Sequence, residues 1–259
     1  MDLGLRGKSA VVTGASSGMG KASAISLLRE GSRVLISSRS EEKLKKAAEE
    51  LSRYGEVHFK ASDLRKAEDI SELYERAEEL GGADILVISY GGPRIARFRD
   101  LDDKDWYEAF DLLVMSSVRL SRLFGYRMKE RGWGRIVLIT STAVKEVNMN
   151  IPLSSVVRTG LAGLIKVLSR ELAPEVTVNG IMPGRIMTER QRELLAFKAG
   201  ELGITLERME EEASKEIPLR RFGKPEEVGD LIAFLCSERA SYISGALIPI
   251  DGGMLTVVG

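Results

Sequence analysis

The chain has 259 residues, and its 38 Lys and Arg balance 38 Asp and Glu to a formal net charge of zero. That length suits one large α/β domain with a well-buried core, and the balance gives no electrostatic basis for binding nucleic acid or an anionic membrane. One cysteine, Cys236, excludes an internal disulfide and a multi-cysteine zinc site and fits a reducing cytoplasm.

From the start, MDLGLRGKSAVVTGA lacks the apolar h-region of a secretory signal, and no apolar run further on approaches the ~18 residues of a membrane span. SAVVTG reads as a buried strand, and MGKASAISLLREG as a helix ending at Gly31. RVLISS and EEKLKKAAEELSRYG repeat the pair, as do EVHFKASD and AEDISELYERAEELGG. DILVIS, one long helix over 102–132 and RIVLITS follow. LSSVVRTGLAGLIKVLSREL is helical, EVTVNGIMPG a strand, and PEEVGDLIAFLCS and ALIPIDGG close the alternation. Cys236 falls in LIAFLC, where helix packing is its expected role. Strands that are apolar without alternation, each followed by a helix, predict an α/β fold. It is a Rossmann-type doubly wound parallel sheet flanked by helices, in a single domain spanning 1–259. The charged helical stretch 188–216 interrupts this rhythm on the carboxyl side of the sheet. A lid over a ligand crevice belongs there, and a solvated excursion or subunit contact is the other reading. Leu194, Leu195, Phe197 and Leu202 are its expected apolar pocket wall.

Between the first strand and helix lies TGASSGMG, Thr13 to Gly20. Gly14 suits a tight turn at positive φ, while Gly18 and Gly20 let backbone approach a diphosphate and helix pack on strand. The helix N-terminus then offers free N–H groups and a positive dipole to the phosphates. The second strand ends VLISSRS, with no acid before Glu41 to hold a ribose 2′-hydroxyl. Arg39, with Ser37 and Ser38, suits a 2′-phosphate instead and favours NADP over NAD. An ion pair of Arg39 with Glu41 or Glu42 is the alternative.

With these residues in order, the chain resembles the short-chain dehydrogenase/reductase family, and most closely its 3-oxoacyl-[acyl-carrier-protein] reductase-like members. Asp63 in ASDL matches the family aspartate at adenine. Pro183 to Thr188, PGRIMT, matches the segment passing the nicotinamide, and RRFGKPEEV and SYISGALIPIDGG match the family's C-terminal pattern. The resemblance implies a nucleotide site of Gly14, Ser16, Ser17, Gly18, Met19, Gly20, Ser38, Arg39, Asp63, Leu64, Gly91, Arg158, Pro183, Gly184 and Thr188. It also implies assembly of identical subunits, a tetramer or dimer, through helices 103–131 and 154–172.

The family works with Asn, Ser, Tyr and Lys. Here Ser141 keeps the serine, but the tyrosine position holds Ser154, the lysine position Arg158 and the asparagine position Leu113. The Asn-Asn-Ala-Gly segment reads Ser89-Tyr90-Gly91-Gly92. The chain resembles a subgroup in which the tyrosine and lysine are likewise replaced. Serine is too weak an acid to replace tyrosine, yet it can donate a hydrogen bond to a carbonyl oxygen. Arg158 can bind ribose hydroxyls and stabilise an oxyanion, but it shuttles no proton. Ser141, Ser154 and Arg158 are therefore the expected catalytic set, with Tyr90, Lys145 and Glu146 as candidate substitute acids. His58, the only histidine, reads as a sheet residue, which leaves a Ser/His/Asp triad and a metal site without support. Trp106 and Trp133 read as packing. The function expected is NADP-dependent hydride transfer with a small carbonyl or alcohol. A non-catalytic dinucleotide-binding sensor or partner subunit stands as the alternative, and another reaction on bound NADP as a third. Charged residues make up 29% of the chain, Gln occurs only at 191 and Asn only at 148, 150 and 179, a balance expected of a heat-adapted protein.

Overall fold

The computed structural model describes residues 2–257. Seven parallel strands form one sheet in the order β3-β2-β1-β4-β5-β6-β7, reversing direction of growth between β1 and β4. They are β1 (Ser9–Val12), β2 (Arg33–Ser38), β3 (Val57–Ala61), β4 (Ile85–Ile88), β5 (Gly134–Ile139), β6 (Val176–Pro183) and β7 (Leu247–Ile250). The central strands β4, β5 and β6 are buried at every position, which is why their sequences are apolar runs rather than alternations.

Helices cover both faces. On one, α1 (Gly18–Arg29), α2 (Glu41–Leu51) and α10 (Pro225–Cys236) enclose a core of Leu27, Leu44, Val87, Ile181 and Ile232. A Cβ at Gly229 would stand 2.6 Å from the Ala22 carbonyl oxygen, so only glycine lets α10 lie this close to α1. Cys236 is buried here, its thiol pushed up to about 12 by burial. On the other face, α3 (Ala67–Glu79), α5 (Ser116–Glu130) and α7 (Thr159–Glu171) enclose Leu73, Leu120, Phe124, Leu161 and Ile165. Among the described residues no helix is long and apolar enough to cross a membrane.

Two helices expected to be continuous are not. The stretch 102–132 comprises α4 (Asp103–Phe110), a π turn over Asp111–Met115 and then α5. Ser116 and Ser117 donate their hydroxyls to the Leu112 and Leu113 carbonyls, and such back-bonding loosens and bends a helix. The stretch 153–172 breaks at Arg158 between α6 (Pro152–Val157) and α7. The charged stretch forms α8 (Glu189–Leu202) and α9 (Leu206–Lys215), which share a small core of Leu195, Ala199, Met209 and Ala213.

Candidate active site

The carboxyl ends of the strands open into one cleft of about 750 Å³. Its floor is the loop between β1 and α1. Thr13 ties that loop to β4, donating to the Ser89 carbonyl at 2.8 Å and accepting from the Ser89 N–H at 3.0 Å. Gly14 sits at φ +57°, and a Cβ at Gly20 would stand 2.4 Å from the Gly14 carbonyl oxygen. No side chain caps the N-terminus of α1 and no acid occupies its first turn, so its N–H groups and positive dipole face the cleft. Ser16, Ser17, Gly18 and Met19 complete this wall.

At the ends of β2 and β3, Ser38, Arg39, Ser62 and Leu64 line the cleft. The hydroxyls of Ser37, Ser38 and Ser62 are buried with no partner among the described residues, an arrangement that a polar ligand would satisfy. Glu41 and Glu42 pair with Lys45 and Lys46 one turn further on, leaving Arg39 without an ion pair among the described residues. Lys43 lines the cleft as well, one helical turn beyond Arg39. Sequence reasoning passed over it, although the four-residue spacing of two cations was visible. Asp63 is not in the cleft wall. Arg65 donates to its carboxylate from Nε at 3.0 Å and Nη2 at 2.6 Å, and this pairing holds the carboxyl below its usual range.

Beyond the glycine loop, Ser89, Tyr90, Gly91, Ser141, Ser154, Arg158, Pro183, Gly184 and Thr188 surround the other half. Ser141 Oγ accepts from the Ala143 N–H at 3.1 Å, and Ser154 Oγ accepts from Arg158 Nε at 3.0 Å. Neither hydroxyl donates to any described residue, so each keeps its proton for the cleft. Arg158 Nη1 donates to the carbonyls of Ile139 and Thr140 at 3.1 and 3.2 Å, at the end of β5. Burial lowers the Arg158 pKa from its ordinary value, but a guanidinium keeps its proton in a protein.

Of the three candidate acids, only Tyr90 lines the cleft. Its ring lies 5.5 Å from the Arg158 guanidinium. Its hydroxyl is bonded to Ser117 Oγ, whose own proton goes to the Leu113 carbonyl at 2.6 Å, so Tyr90 is the donor of that pair. Burial raises its pKa to about 12. The phenolic proton is thus held by Ser117 at the start of α5 and turned from the cleft. Glu146 accepts from the Thr256 N–H at 2.9 Å and from its hydroxyl, and neither it nor Lys145 borders the cleft. Leu113 packs with Leu153 and Val157 behind the site. His58 pairs with Glu56 on the edge strand, Trp106 stacks edge-on with Phe98 and Trp133 takes Lys8 and Arg135 on its ring, all outside the cleft.

The cover differs in part from expectation. Glu189, Arg190, Gln191, Glu193 and Leu194 face the cleft, and Thr188 caps α8 while lying against Gly18. Leu195 instead faces α9, and Phe197 and Leu202 are exposed, because α8 turns those faces to its own core and to solvent. Arg190, not singled out from the sequence, donates to the Pro93 carbonyl at 2.7 Å, and Arg97 pairs with Glu201 at 3.4 Å, so α8 is tied to the segment after β4.

Residues 14–255 match the family model described as enoyl-(acyl carrier protein) reductase. The 3-oxoacyl-[acyl-carrier-protein] reductase FabG of Aquifex aeolicus is 36% identical over 258 residues, 98% of this chain and 100% of that protein. The uncharacterized oxidoreductase YvrD of Bacillus subtilis is 36% identical over 98% of this chain and 99% of its own length. Among solved structures, L-sorbose reductase from Gluconobacter frateurii, complexed with NADPH and L-sorbose, superposes with a TM-score of 0.95 at 33% identity, covering 100% of both chains. A nucleotide-type cleft on a seven-stranded sheet, matched end to end by these reductases, means that the chain belongs to the short-chain dehydrogenase/reductase family of oxidoreductases.

Proposed function

We propose that the protein is an NADP-dependent oxidoreductase that moves hydride between the nicotinamide and a carbonyl or alcohol carbon, in a site rebuilt around Ser141, Ser154 and Arg158. The glycine loop and the uncapped start of α1 fit a diphosphate, and Arg39 and Lys43, beside the unpartnered hydroxyls of Ser38 and Ser62, fit a 2′-phosphate. The NADPH held by the sorbose reductase supports that assignment. Bound there, the nucleotide supplies or accepts the hydride. Pro183, Gly184 and Thr188 are the residues to orient its reactive ring, and α8 and α9 are the cover that excludes water.

One observation carries the reaction assignment. Both serine hydroxyls accept an N–H, from Ala143 and from Arg158, and neither donates to a described residue, so each has its proton free for the cleft. Two aimed O–H donors beside a permanent cation suit an oxygen that gains negative charge as hydride reaches its carbon. The proton that follows comes from solvent, since Tyr90 is turned away and arginine releases none. The test is NADPH oxidation by the full chain against a broad carbonyl panel. Turnover should be present and should fall about 10²–10³-fold on removing either donor, in Ser141→Ala or Ser154→Ala. Equal rates in wild type and the double variant would refute this use of the serines.

A further inference from the structure

Arg158 poses a charge problem that the nucleotide does not solve. At 9% exposure it is buried, yet no carboxylate pairs with it among the described residues, and Tyr90 is its aromatic neighbour. Nε and Nη1 are committed to Ser154 and the β5 carbonyls, while no described residue accepts from Nη2. The other arginines of this half of the cleft are neutralised, Arg94 by Asp105 and Arg190 by Glu193. A buried cation without a counter-charge is costly and calls for an anion. Ribose hydroxyls carry no charge, the oxidised nicotinamide is itself cationic, and the diphosphate belongs to the glycine loop. The missing charge has to arrive with the substrate.

Guanidinium geometry says where on the substrate that charge sits. Nε–H and one N–H of Nη2 lie parallel on one edge of the plane. Ser154 takes the first, so an oxygen held by the Ser154 hydroxyl and an anion held by Nη2 are close neighbours. We propose that the substrate is a 2-oxo carboxylate, its ketone oxygen held by Ser141 and Ser154 and its carboxylate by Nη2 of Arg158. Leu112, Ile151 and Leu194 give an apolar wall for the remainder of the chain. In reduction, a C–H bond forms at the ketone carbon with hydride from NADPH, the C=O π pair moves to oxygen, and water supplies the proton. The products are a 2-hydroxy acid and NADP⁺.

This rests on the oxidoreductase reading, and two measurements separate their fates. The first compares NADPH oxidation with a 2-oxo acid, its methyl ester and a neutral 1,2-diketone. The acid should exceed both neutral carbonyls roughly 10- to 100-fold in kcat/KM, as charge-assisted hydrogen bonds allow, and Arg158→Gln should erase that preference. Equal or faster turnover of the ester or diketone would overturn the carboxylate proposal and leave the oxidoreductase reading standing. No turnover of any carbonyl would overturn both. The second needs no turnover: oxamate, a non-reducible mimic, is titrated into the wild-type protein–NADPH complex by calorimetry. Binding that weakens at least tenfold in Arg158→Lys, which keeps the charge and loses the planar edge, supports the proposal. Absence of oxamate binding to the NADPH-loaded wild type would overturn it.

Discussion

At the scale of single residues, the chemistry of the cleft depends on which side chains titrate and which do not. Ser141, Ser154 and Arg158 hold their protonation states across the physiological range, and Tyr90, raised to about 12, stays neutral until well past it. A folded-state pKa above the ordinary value of 10 means that neutral Tyr90 supports the fold below about pH 10 and that this support is lost as pH climbs toward 12. The expected profile of kcat/KM for carbonyl reduction is therefore flat from about pH 6 to 9, with no limb from a tyrosine–lysine pair. A limb inside that window would identify a titrating acid that these residues do not supply. Arg39 gives a second test. Arg39→Ala should weaken NADPH binding roughly 10- to 100-fold and leave NADH nearly unchanged, since only the former carries the 2′-phosphate. Equal losses for both nucleotides would assign Arg39 to the adenosine in general. TGASSGMG, Ser141, Ser154 and Arg158 were all legible in the sequence. The inward turn of the Tyr90 hydroxyl was not, because it depends on Ser117, which lies 27 residues away and reaches Tyr90 only through the fold.

At the scale of elements, alternation of apolar strands and amphipathic helices gave every strand of the sheet, and base-level periodicity failed where backbone bonds were diverted. Periodicity records which face is apolar. It does not record that Ser116 and Ser117 back-bond to the π turn, nor that Arg158 reaches the β5 carbonyls where α6 gives way to α7. The same limit explains the cover, where an apolar residue on α8 can face the cleft, as Leu194 does, or α9, as Leu195 does. The start of α10 shows an element fixed by one carboxylate. Glu227 accepts from the Lys224 N–H at 2.7 Å and from both terminal nitrogens of Arg221 at 2.8 and 2.6 Å, and its pKa falls to about 2, with Arg221 the largest cause. Because the folded value lies below the ordinary 4.5, this contribution is present above about pH 4.5 and is lost as pH falls toward 2. Glu227→Gln should lower Tm by about 2 °C at pH 7, a small figure because the pair is solvent-exposed. The deficit should shrink toward zero near pH 2.5, and a deficit independent of pH would show that charge is not its origin.

At the scale of the whole molecule, the reversal of strand order between β1 and β4 sets the site. It leaves the carboxyl ends of the central strands open, and the glycine loop, Arg39 and the Ser141–Ser154–Arg158 group all gather there. We propose that copies of the chain associate through the outer faces of α4 to α7. Tyr107, Phe110, Val156 and Val167 are exposed large apolar side chains on these helices. Light scattering should then give a dimer or tetramer mass, and a sharp monomer peak at micromolar concentration would contradict it. We propose above all that this cleft transfers hydride with Ser141, Ser154 and Arg158 as its polar groups. Deuterium transfer from 4-deuterated NADPH, followed by mass spectrometry of the product alcohol, tests it most directly. Deuterium should appear at the carbinol carbon of a reduced carbonyl. Tight NADPH binding with no deuterium delivered to any carbonyl of a broad panel would contradict it and make the protein a nucleotide-binding sensor or partner subunit.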